Sequence, residues 1–234
     1  MWTHLERQMG GFGTRAGAGE TQIEVDRRIL RKRISNLKKK LKSIDSERRV
    51  QSKRRQSFFR TSFVGYTNVG KSSLMKAVTK SDVLIKNQLF ATLDTTVRRL
   101  FIGNSNYVLM SDTVGFIRNL PNNLIASFKS TLQEVVDSNL LLIVLDASSK
   151  DLQNEIATIE SVLKEIGANH IDCQYIFNKI DKVDQDRIAY LKKSFPEAIM
   201  VSATRALQLS NIKDIITDSH EEWSTSLKNP LHTQ

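Results

Sequence analysis

The chain has 234 residues, of which 40% are hydrophobic and 26% charged, and it carries a formal net charge of +10. This composition allows one good-sized domain with an appendage, and the apolar runs are too short to cross a bilayer. A single cysteine, Cys173, excludes a disulfide framework and a cysteine-based metal site. No apolar signal segment opens the sequence, so we expect a cytoplasmic protein without membrane insertion.

The charge is divided unevenly along the chain. Residues 1–60 contain 17 Lys or Arg and 6 Asp or Glu, a balance of +11. The remaining residues therefore hold 18 basic and 19 acidic side chains, a balance of −1. A basic excess confined to the first quarter favours a polyanionic partner, nucleic acid before membrane.

This basic quarter predicts a glycine-rich segment over residues 1–20 and a helical arm over residues 21–57. Thr21 and Glu24 fit a capping box, and no Gly or Pro follows as far as Gln56. Apolar residues at three-and-four spacing form one seam along the helix, made of Ile23, Leu30, Ile34, Leu37, Leu41 and Ile44. A single seam on a basic helix needs a hairpin, a second copy or another partner to cover it.

Strands and helices alternate from residue 61 to 223, which predicts an α/β domain with a mostly parallel six-stranded sheet. Strands are expected at Ser62–Val64, Val97–Ile102, Tyr107–Ser111, Leu140–Asp146, Gln174–Phe177 and Ile199–Ser202. Helices are expected at Lys71–Thr79, Leu124–Val136, Gln153–Ile166, Gln185–Ser194 and Asn211–Trp223. Residues 224–234 are expected to be a flexible tail.

A phosphate-binding sequence lies between the first strand and the first helix of this domain. The pattern G-x-x-x-x-G-K-[ST] is formed by Gly65, Tyr66, Thr67, Asn68, Val69, Gly70, Lys71 and Ser72. Glycines let the backbone wrap phosphates, and the N–H groups at a helix start attract negative charge. In such a loop Lys71 neutralises the β- and γ-phosphates and Ser72 binds Mg²⁺.

A second motif, made of Asp112, Thr113, Val114 and Gly115, ends the third strand. Asp112 suits the holding of Mg²⁺ through water, and the Gly115 N–H suits the sensing of a γ-phosphate. On its own this spacing is also that of an ordinary turn. Its position after an alternating strand favours the nucleotide interpretation.

A further motif, which follows the fifth strand, predicts which nucleotide base is bound. It is made of Asn178, Lys179, Ile180 and Asp181. A carboxylate at Asp181 accepts from N1–H and the 2-amino group of guanine, whereas adenine would leave it unpaired, so ATP use is disfavoured. Ser202, Ala203 and Thr204 close the last strand and fit a loop that supports the guanine O6. These motifs come in order at the C-terminal ends of predicted strands, where ligands of open α/β sheets bind. The sequence therefore predicts GTP binding.

The switch region lies before the second strand and contains Phe90, Ala91, Thr92, Leu93 and Asp94. A threonine must reach the γ-phosphate and Mg²⁺ from here, and the candidates are Thr92, Thr95 and Thr96. Phe116 stands where Ras-like switches place a water-orienting glutamine, so we expect a low intrinsic rate of hydrolysis. A partner, K⁺ or another side chain would then complete the site.

Four segments resemble the HflX family, within the Obg–HflX group of TRAFAC P-loop GTPases. They are GYTNVGKSSL at Gly65–Leu74, QLFATLDTTVRR at Gln88–Arg99, DTVGFIRNLP at Asp112–Pro121 and ETQIE at Glu20–Glu24. Relatives usually carry an N-terminal α/β domain and often a C-terminal domain, and this sequence lacks most of the first and all of the second. The usual Gly-Pro-Gly-Glu is also replaced, by Gly17-Ala18-Gly19-Glu20.

The resemblance implies a GTPase that binds the large ribosomal subunit, through 50S rRNA contacts of the basic arm, and that splits or rescues ribosomes. It favours Thr92 as the Mg²⁺ threonine, so Lys71, Thr92 and Gly115 are the expected catalytic residues. We expect a monomer, with dimerisation through the arm as an open possibility. The alternative is a nucleotide-regulated interaction or dimerisation module without ribosome-splitting activity.

Overall fold

The computed structural model describes residues 24–40, 43, 57–79, 96–103, 106–113, 115 and 132–228. The chain divides into two compact units, residues 1–51 and residues 52–234. The predicted domain limits at residues 20, 57 and 61 fall in or beside stretches outside the described residues, so these limits stay predictions.

The described part of the first unit is helix α1, residues 24–40. This confirms helix for the first half of the predicted arm, and the arm from 44 to 56 lies outside the described residues. Every side chain of α1 is exposed, including the seam residues Leu30, Ile34 and Leu37, whose exposed fractions lie between 52% and 57%. Val25 and Ile29 are exposed as well, so the apolar surface is wider than the predicted seam.

The second unit alternates strands and helices, as predicted. Its strands are β1 (Arg60–Val64), β2 (Thr96–Gly103), β3 (Asn106–Asp112), β4 (Leu140–Asp146), β5 (Asp172–Asn178) and β6 (Ile199–Met200). Its helices are α2 (Lys71–Thr79), α3 (Gln133–Val136), α4 (Leu152–Glu165), α5 (Gln185–Ser194) and α6 (Ser210–Lys228). A single turn of 3₁₀ helix, Ile180–Lys182, follows β5.

These six strands form one sheet in the order β2-β3-β1-β4-β5-β6. All neighbouring strands are parallel except β2 and β3, which form an antiparallel hairpin, and this confirms the mostly parallel prediction. Strand β4 is buried along Leu140–Leu145, as expected for an apolar run covered on both faces. The ends of β1, β3, β4 and β5 meet at one edge of the sheet, which we call the nucleotide edge.

Most predicted boundaries differ from the observed ones by one or two residues, and two C-terminal ends have a physical explanation. The last strand was expected to reach Ser202, but β6 stops at Met200 because Ser202 turns away to form an isolated bridge with Leu207. The tail was expected to begin at residue 224, but α6 continues to Lys228. Hydroxyl bonds within the last turns support this extension, and no Pro occurs between Pro196 and Pro230.

The predicted helix Leu124–Val136 can be judged only over its last turns. Residues 133–136 are helical as α3, and residues 116–131 lie outside the described residues. Within the described part of the chain, no helix combines the length and apolar character that crossing a membrane requires.

Candidate functional site

The loop between β1 and α2 has a backbone that only particular residues can adopt. Gly65 has φ +151°, and a Cβ at this position would collide with the carbonyl oxygen of Val144 on β4. Gly70 has φ +99°, and a Cβ there would collide with the Asn178 side-chain amide. The two glycines of the phosphate-loop pattern are therefore required by close approach as well as by φ.

Helix α2 begins directly after this loop and leaves its first N–H groups directed at the loop. The first helical bond runs from the Leu74 N–H to the Gly70 carbonyl at 2.9 Å, so the preceding amides are not used by the helix. The first turn contains no acidic residue. The N–H groups of the first turn, the helix dipole and the absence of a competing carboxylate on α2 make this end suitable for a phosphate.

Lys71 is the buried cation of this loop, with 6% of its surface exposed. Its Nζ donates to the carbonyl oxygens of Gly65 (3.0 Å) and Tyr66 (2.9 Å), which folds the side chain back over the loop. Burial lowers the pKa of Lys71 to about 8, against a smaller opposite effect of the Asp112 charge. A bound phosphate would supply the negative charge that favours the protonated ammonium.

Gly115 lies directly against the phosphate loop. A Cβ at this position would be 2.8 Å from the Lys71 Nζ and 2.7 Å from the Thr67 Cα, both closer than real Cβ contacts. The glycine predicted to sense a γ-phosphate is thus brought beside the lysine predicted to neutralise it. Val114 lies outside the described residues.

Ser72 and Asp112 meet across the mouth of the loop. The Ser72 hydroxyl donates to Asp112 Oδ2 at 2.5 Å, and Asp112 is buried at the end of β3. The next residue, Thr113, donates its hydroxyl to the Phe63 carbonyl at 2.6 Å and fixes the backbone at that point. A hydroxyl and a carboxylate side by side are hard oxygen donors, the kind that Mg²⁺ prefers, so the residues present fit the predicted ion.

Asn178 ties three loops together at the end of β5. Its Nδ2 donates to the Val69 carbonyl at 2.8 Å, and its Oδ1 accepts from the Ala203 N–H at 3.0 Å. Asn178 is 2% exposed, so both ends of its amide are used inside the protein. Asn178 therefore fixes the phosphate loop relative to the loop Ser202–Thr204, which was predicted to support the base.

Lys179 links the phosphate loop to the end of β4. It has φ +66°, and its Nζ donates to the Asn68 carbonyl at 2.7 Å and to Asp146 Oδ2 at 2.6 Å. Burial opposes ionisation of Asp146, but the hydrogen bonds from Lys179 and Ser148 outweigh it, so the pKa of Asp146 lies below its ordinary value. Asp146 was not among the predicted site residues. Its position at the end of β4, on the edge where the other motifs lie, was the signal that could have found it.

Asp181 stands on the 3₁₀ turn after β5, and its Oδ1 accepts the Ser202 hydroxyl at 2.5 Å. Ser202 also accepts from the Arg205 N–H at 3.1 Å, which holds the hydroxyl toward Asp181. Asp181 is exposed in the protein alone. Its discrimination between bases would therefore arise when a base covers it and removes water.

The described residues bring together most of the predicted nucleotide-binding set. The residues that lie outside the described part are Phe90, Ala91, Thr92, Leu93, Asp94, Thr95, Val114 and Phe116. Thr96, the second candidate for the switch threonine, is the first residue of β2 and lies opposite Asp112 in the register. The choice between Thr92 and Thr96 stays a prediction.

A family model described as a 50S ribosome-binding GTPase matches residues 60–179, and one described as a GTP-binding GTPase middle region matches residues 1–55. The GTPase HflX of Flavobacterium psychrophilum is 55% identical over 181 residues, covering 77% of this chain and 43% of that protein. The GTPase HflX of Escherichia coli is 41% identical over 221 residues, covering 93% and 52%.

A solved structure from Sulfolobus solfataricus supports the same assignment. That GTP-binding protein, in complex with GDP, is 26% identical, has a TM-score of 0.59, and matches over 87% of this chain and 62% of its own. The chain spans about half the length of the curated relatives it matches. The family model and these relatives agree with the geometry of the nucleotide edge. The chain therefore belongs to the family whose model is described as 50S ribosome-binding GTPase and, within it, to the HflX GTPases.

Proposed function

We propose that this chain binds GTP with Mg²⁺, hydrolyses it slowly and acts as a switch on the large ribosomal subunit. The observation that carries the nucleotide part is the double link between the two loops, Asn178 to Val69 and Lys179 to Asn68. These bonds hold the phosphate-binding and base-binding elements at a fixed spacing. A ligand with a guanine at one end and phosphates at the other fits such an edge.

Each group at this edge has a role in that binding. The N–H groups at the start of α2 donate to the phosphate oxygens, and Lys71 adds a positive charge beside them. Asp181 accepts from the guanine N1–H and 2-amino group, and Ser202 keeps the carboxylate in place. A buried match of donors and acceptors favours guanine over adenine by a large factor.

Ser72 would hold the Mg²⁺ ion directly, and Asp112 would hold it through water, with Thr92 as the expected third group from the switch region. The ion supplies positive charge that stabilises the developing negative charge on the phosphate oxygens. In the protein alone, Ser72 donates to Asp112, and this contact keeps both oxygens at the mouth of the loop. The Gly115 N–H would respond to the γ-phosphate from beside Lys71.

Hydrolysis should be slow without a partner. Phe116 occupies the position where a glutamine orients water in Ras-like switches, and a phenyl ring has no group for that task. The missing group must then come from a partner, from K⁺ or from another side chain. A strong rise in turnover with a partner is the expected behaviour.

The ribosomal part of the proposal is supported by the description of the family model and by helix α1. Residues 24–40 contain eight Lys or Arg and only two acidic residues, Glu24 and Asp26, and all ten side chains are exposed. Such a surface attracts the phosphates of rRNA and releases counterions on binding.

A sedimentation assay with purified 30S and 50S subunits tests this proposal. We expect the chain to pellet with 50S subunits in the presence of a non-hydrolysable GTP analogue, and its GTPase rate to rise with 50S and fall with added salt. Lys71→Ala is the control, because it should lose the GTP dependence. No stimulation by 50S subunits at any salt concentration would rule out the ribosomal role and leave the GTPase proposal standing.

A base test addresses the nucleotide part separately. Asp181→Asn should lower GTP affinity by roughly 10- to 100-fold, since a hydrogen bond to a charged group is lost, and should increase affinity for xanthosine triphosphate. Fluorescence titration with labelled nucleotides measures both. Unchanged GTP affinity would contradict the assignment of Asp181 to the base.

The exposed apolar surface of α1 favours a second candidate function, a nucleotide-regulated interaction or dimerisation module. Ile29, Leu30, Ile34 and Leu37 present apolar area that a second helix could cover. Light scattering with GDP and with a GTP analogue separates the two functions. A GTP-dependent dimer without 50S affinity would favour this alternative.

A further inference from the structure

The hairpin of β2 and β3 carries a row of aromatic rings. Phe58, two residues before β1, stacks on Tyr107 with ring centroids 5.2 Å apart and ring planes inclined by 25°. Phe101 lies opposite Tyr107 in the β2–β3 register, and their centroids are 6.1 Å apart. Three neighbouring chain segments therefore present one continuous aromatic row on one face of the sheet.

An arginine completes this surface. The guanidinium carbon of Arg99 lies 4.7 Å from the centroid of the Tyr107 ring. Arg99 and Phe101 point to the same face of β2, because side chains alternate along a strand. We call Phe58, Arg99, Phe101 and Tyr107 the stacking platform. Arg99 gives this surface a positive charge.

The platform face is not the face that builds the core. On the opposite face of the same hairpin, Leu100 and Val108 are buried, whereas Phe101 is 66% exposed. Most of the Phe101 ring therefore makes no contact within the folded domain. A large aromatic residue left in water beside a cation is a feature more often seen at binding surfaces than in packing alone.

The chemistry of the platform identifies the kind of ligand. Nucleic-acid bases have flat π-faces that stack on Phe, Tyr and guanidinium groups, and the linked phosphates match the positive charge. An acidic peptide would satisfy Arg99 but offers no flat ring for Phe101. A double helix hides its base faces, so only a single-stranded segment can stack. The exposed rings and the positive charge of Arg99 both favour a single-stranded nucleic acid.

We propose that the stacking platform binds unpaired bases of single-stranded RNA, independently of the nucleotide edge. Tyr107 lies five residues before Asp112 on β3, which separates the platform from the Mg²⁺-binding end by roughly 17 Å. RNA bound there would not compete with GTP. The choice of RNA over DNA rests on the proposed ribosomal partner, whereas the stacking itself does not depend on GTP turnover.

A local optical probe tests contact at the platform directly. Phe101→Trp keeps an aromatic ring at this exposed edge position, and its fluorescence should fall in a saturable manner as an oligonucleotide of roughly 12 unpaired nucleotides is added. The chain already has Trp2 and Trp223, so the same titration of the unsubstituted protein supplies the background. A double-stranded RNA of equal length should give no local quenching.

Affinity measurements separate the contribution of stacking from those of charge and of nonspecific hydrophobic contact. By fluorescence anisotropy, Phe101→Leu should weaken binding of the same oligonucleotide about tenfold while leaving the salt dependence unchanged. Arg99→Gln should lower the slope of log affinity against log salt by about 0.7. Phe101→Trp should bind at least as well as the unsubstituted chain.

Tyr190 on α5 offers a matched control. It is 51% exposed and has the Arg187 guanidinium 5.3 Å from its ring, but among the residues that the structure describes no second aromatic ring stacks on it. Tyr190→Leu should leave RNA affinity unchanged. Equal losses for Tyr190→Leu and Phe101→Leu, or none for Phe101→Leu, would overturn the proposal and leave the platform as a surface for a protein partner.

The proposed ribosomal function can fail or hold without deciding this result. If 50S subunits do not stimulate hydrolysis but the introduced indole is still quenched by RNA, the platform stands and the ribosomal role falls. If 50S binding holds and neither quenching nor the Phe101→Leu loss occurs, the platform proposal falls alone.

Discussion

The nucleotide edge and helix α1 use their charged side chains in opposite ways. At the nucleotide edge, Lys71, Lys179 and Asp112 are buried or half-buried and bonded to neighbouring groups. On α1 the basic side chains are exposed. An edge whose bonds are already made is shaped in advance for a small ligand, whereas an exposed basic helix has affinity mainly for a partner that brings negative charge.

The strongest way to break the nucleotide edge is Lys71→Ala. We expect a loss of GTP affinity of roughly 100-fold, because a charge-assisted contact with the phosphates disappears in a buried place. Binding of a fluorescent GTP analogue measures the effect. Lys76→Ala, an exposed lysine on the same helix, is the control and should bind normally. Equal affinities for both variants would contradict the role of Lys71.

Helix α1 is tested by a triple variant that combines Lys38→Gln, Lys39→Gln and Lys40→Gln. If α1 contacts rRNA phosphates, 50S affinity should fall by roughly 10- to 50-fold and its salt dependence should weaken, because fewer counterions are released. Nucleotide affinity should not change, since none of these lysines belongs to the nucleotide-binding motifs. Sedimentation at several salt concentrations measures this. An unchanged salt dependence would show that these lysines do not contact the subunit.

A smaller effect is expected for Asp146→Asn, which removes the ionic partner of Lys179. Release of a labelled nucleotide should become about five- to tenfold faster, because Lys179 then holds the Asn68 carbonyl less firmly. Stopped-flow fluorescence gives the rate. Asp186→Asn, an exposed carboxylate in the first turn of α5, is the matched control. A release rate equal to that of the control would leave Asp146 without a positioning role.

The smallest effect is on pH dependence. Burial lowers the pKa of Lys71 to about 8 in the free protein, and bound phosphate favours its charged form, so binding raises this pKa and takes up protons near pH 8. Affinity should therefore fall as pH rises, by roughly fourfold between pH 7 and pH 8.5. Titration calorimetry in buffers of different ionisation enthalpy measures the proton uptake. Proton release, or none, would contradict the expectation.

Much of the fold and site followed from local patterns. The alternation after residue 61 predicted the sheet, and the glycines around Lys71 predicted the loop, because phosphate binding requires specific residues at fixed spacing. The end of β6 was missed because Ser202 turns to meet Leu207, a contact that depends on the following loop. The extension of α6 was missed because no strong stop signal marks a gradual helix end.

Asp146 shows what local patterns miss. Its position at a strand end was the one signal in the sequence, and its partner Lys179 lies 33 residues away, so the contact itself could not be predicted. The stacking platform is a similar case, since Phe58, Phe101 and Tyr107 become neighbours only when β1, β3 and β2 align.

The sequence by itself determined the phosphate loop, the guanine motif and the segregation of positive charge, because each depends on residue type at short range. Only the tertiary structure decided which groups meet across strands: Asn178 with Val69, Lys179 with Asp146, and Ser202 with Asp181. The physical reason is that parallel strands distant in the sequence end at one edge of the sheet. Which side chains meet there depends on their distance in space, and their separation along the sequence does not give that distance.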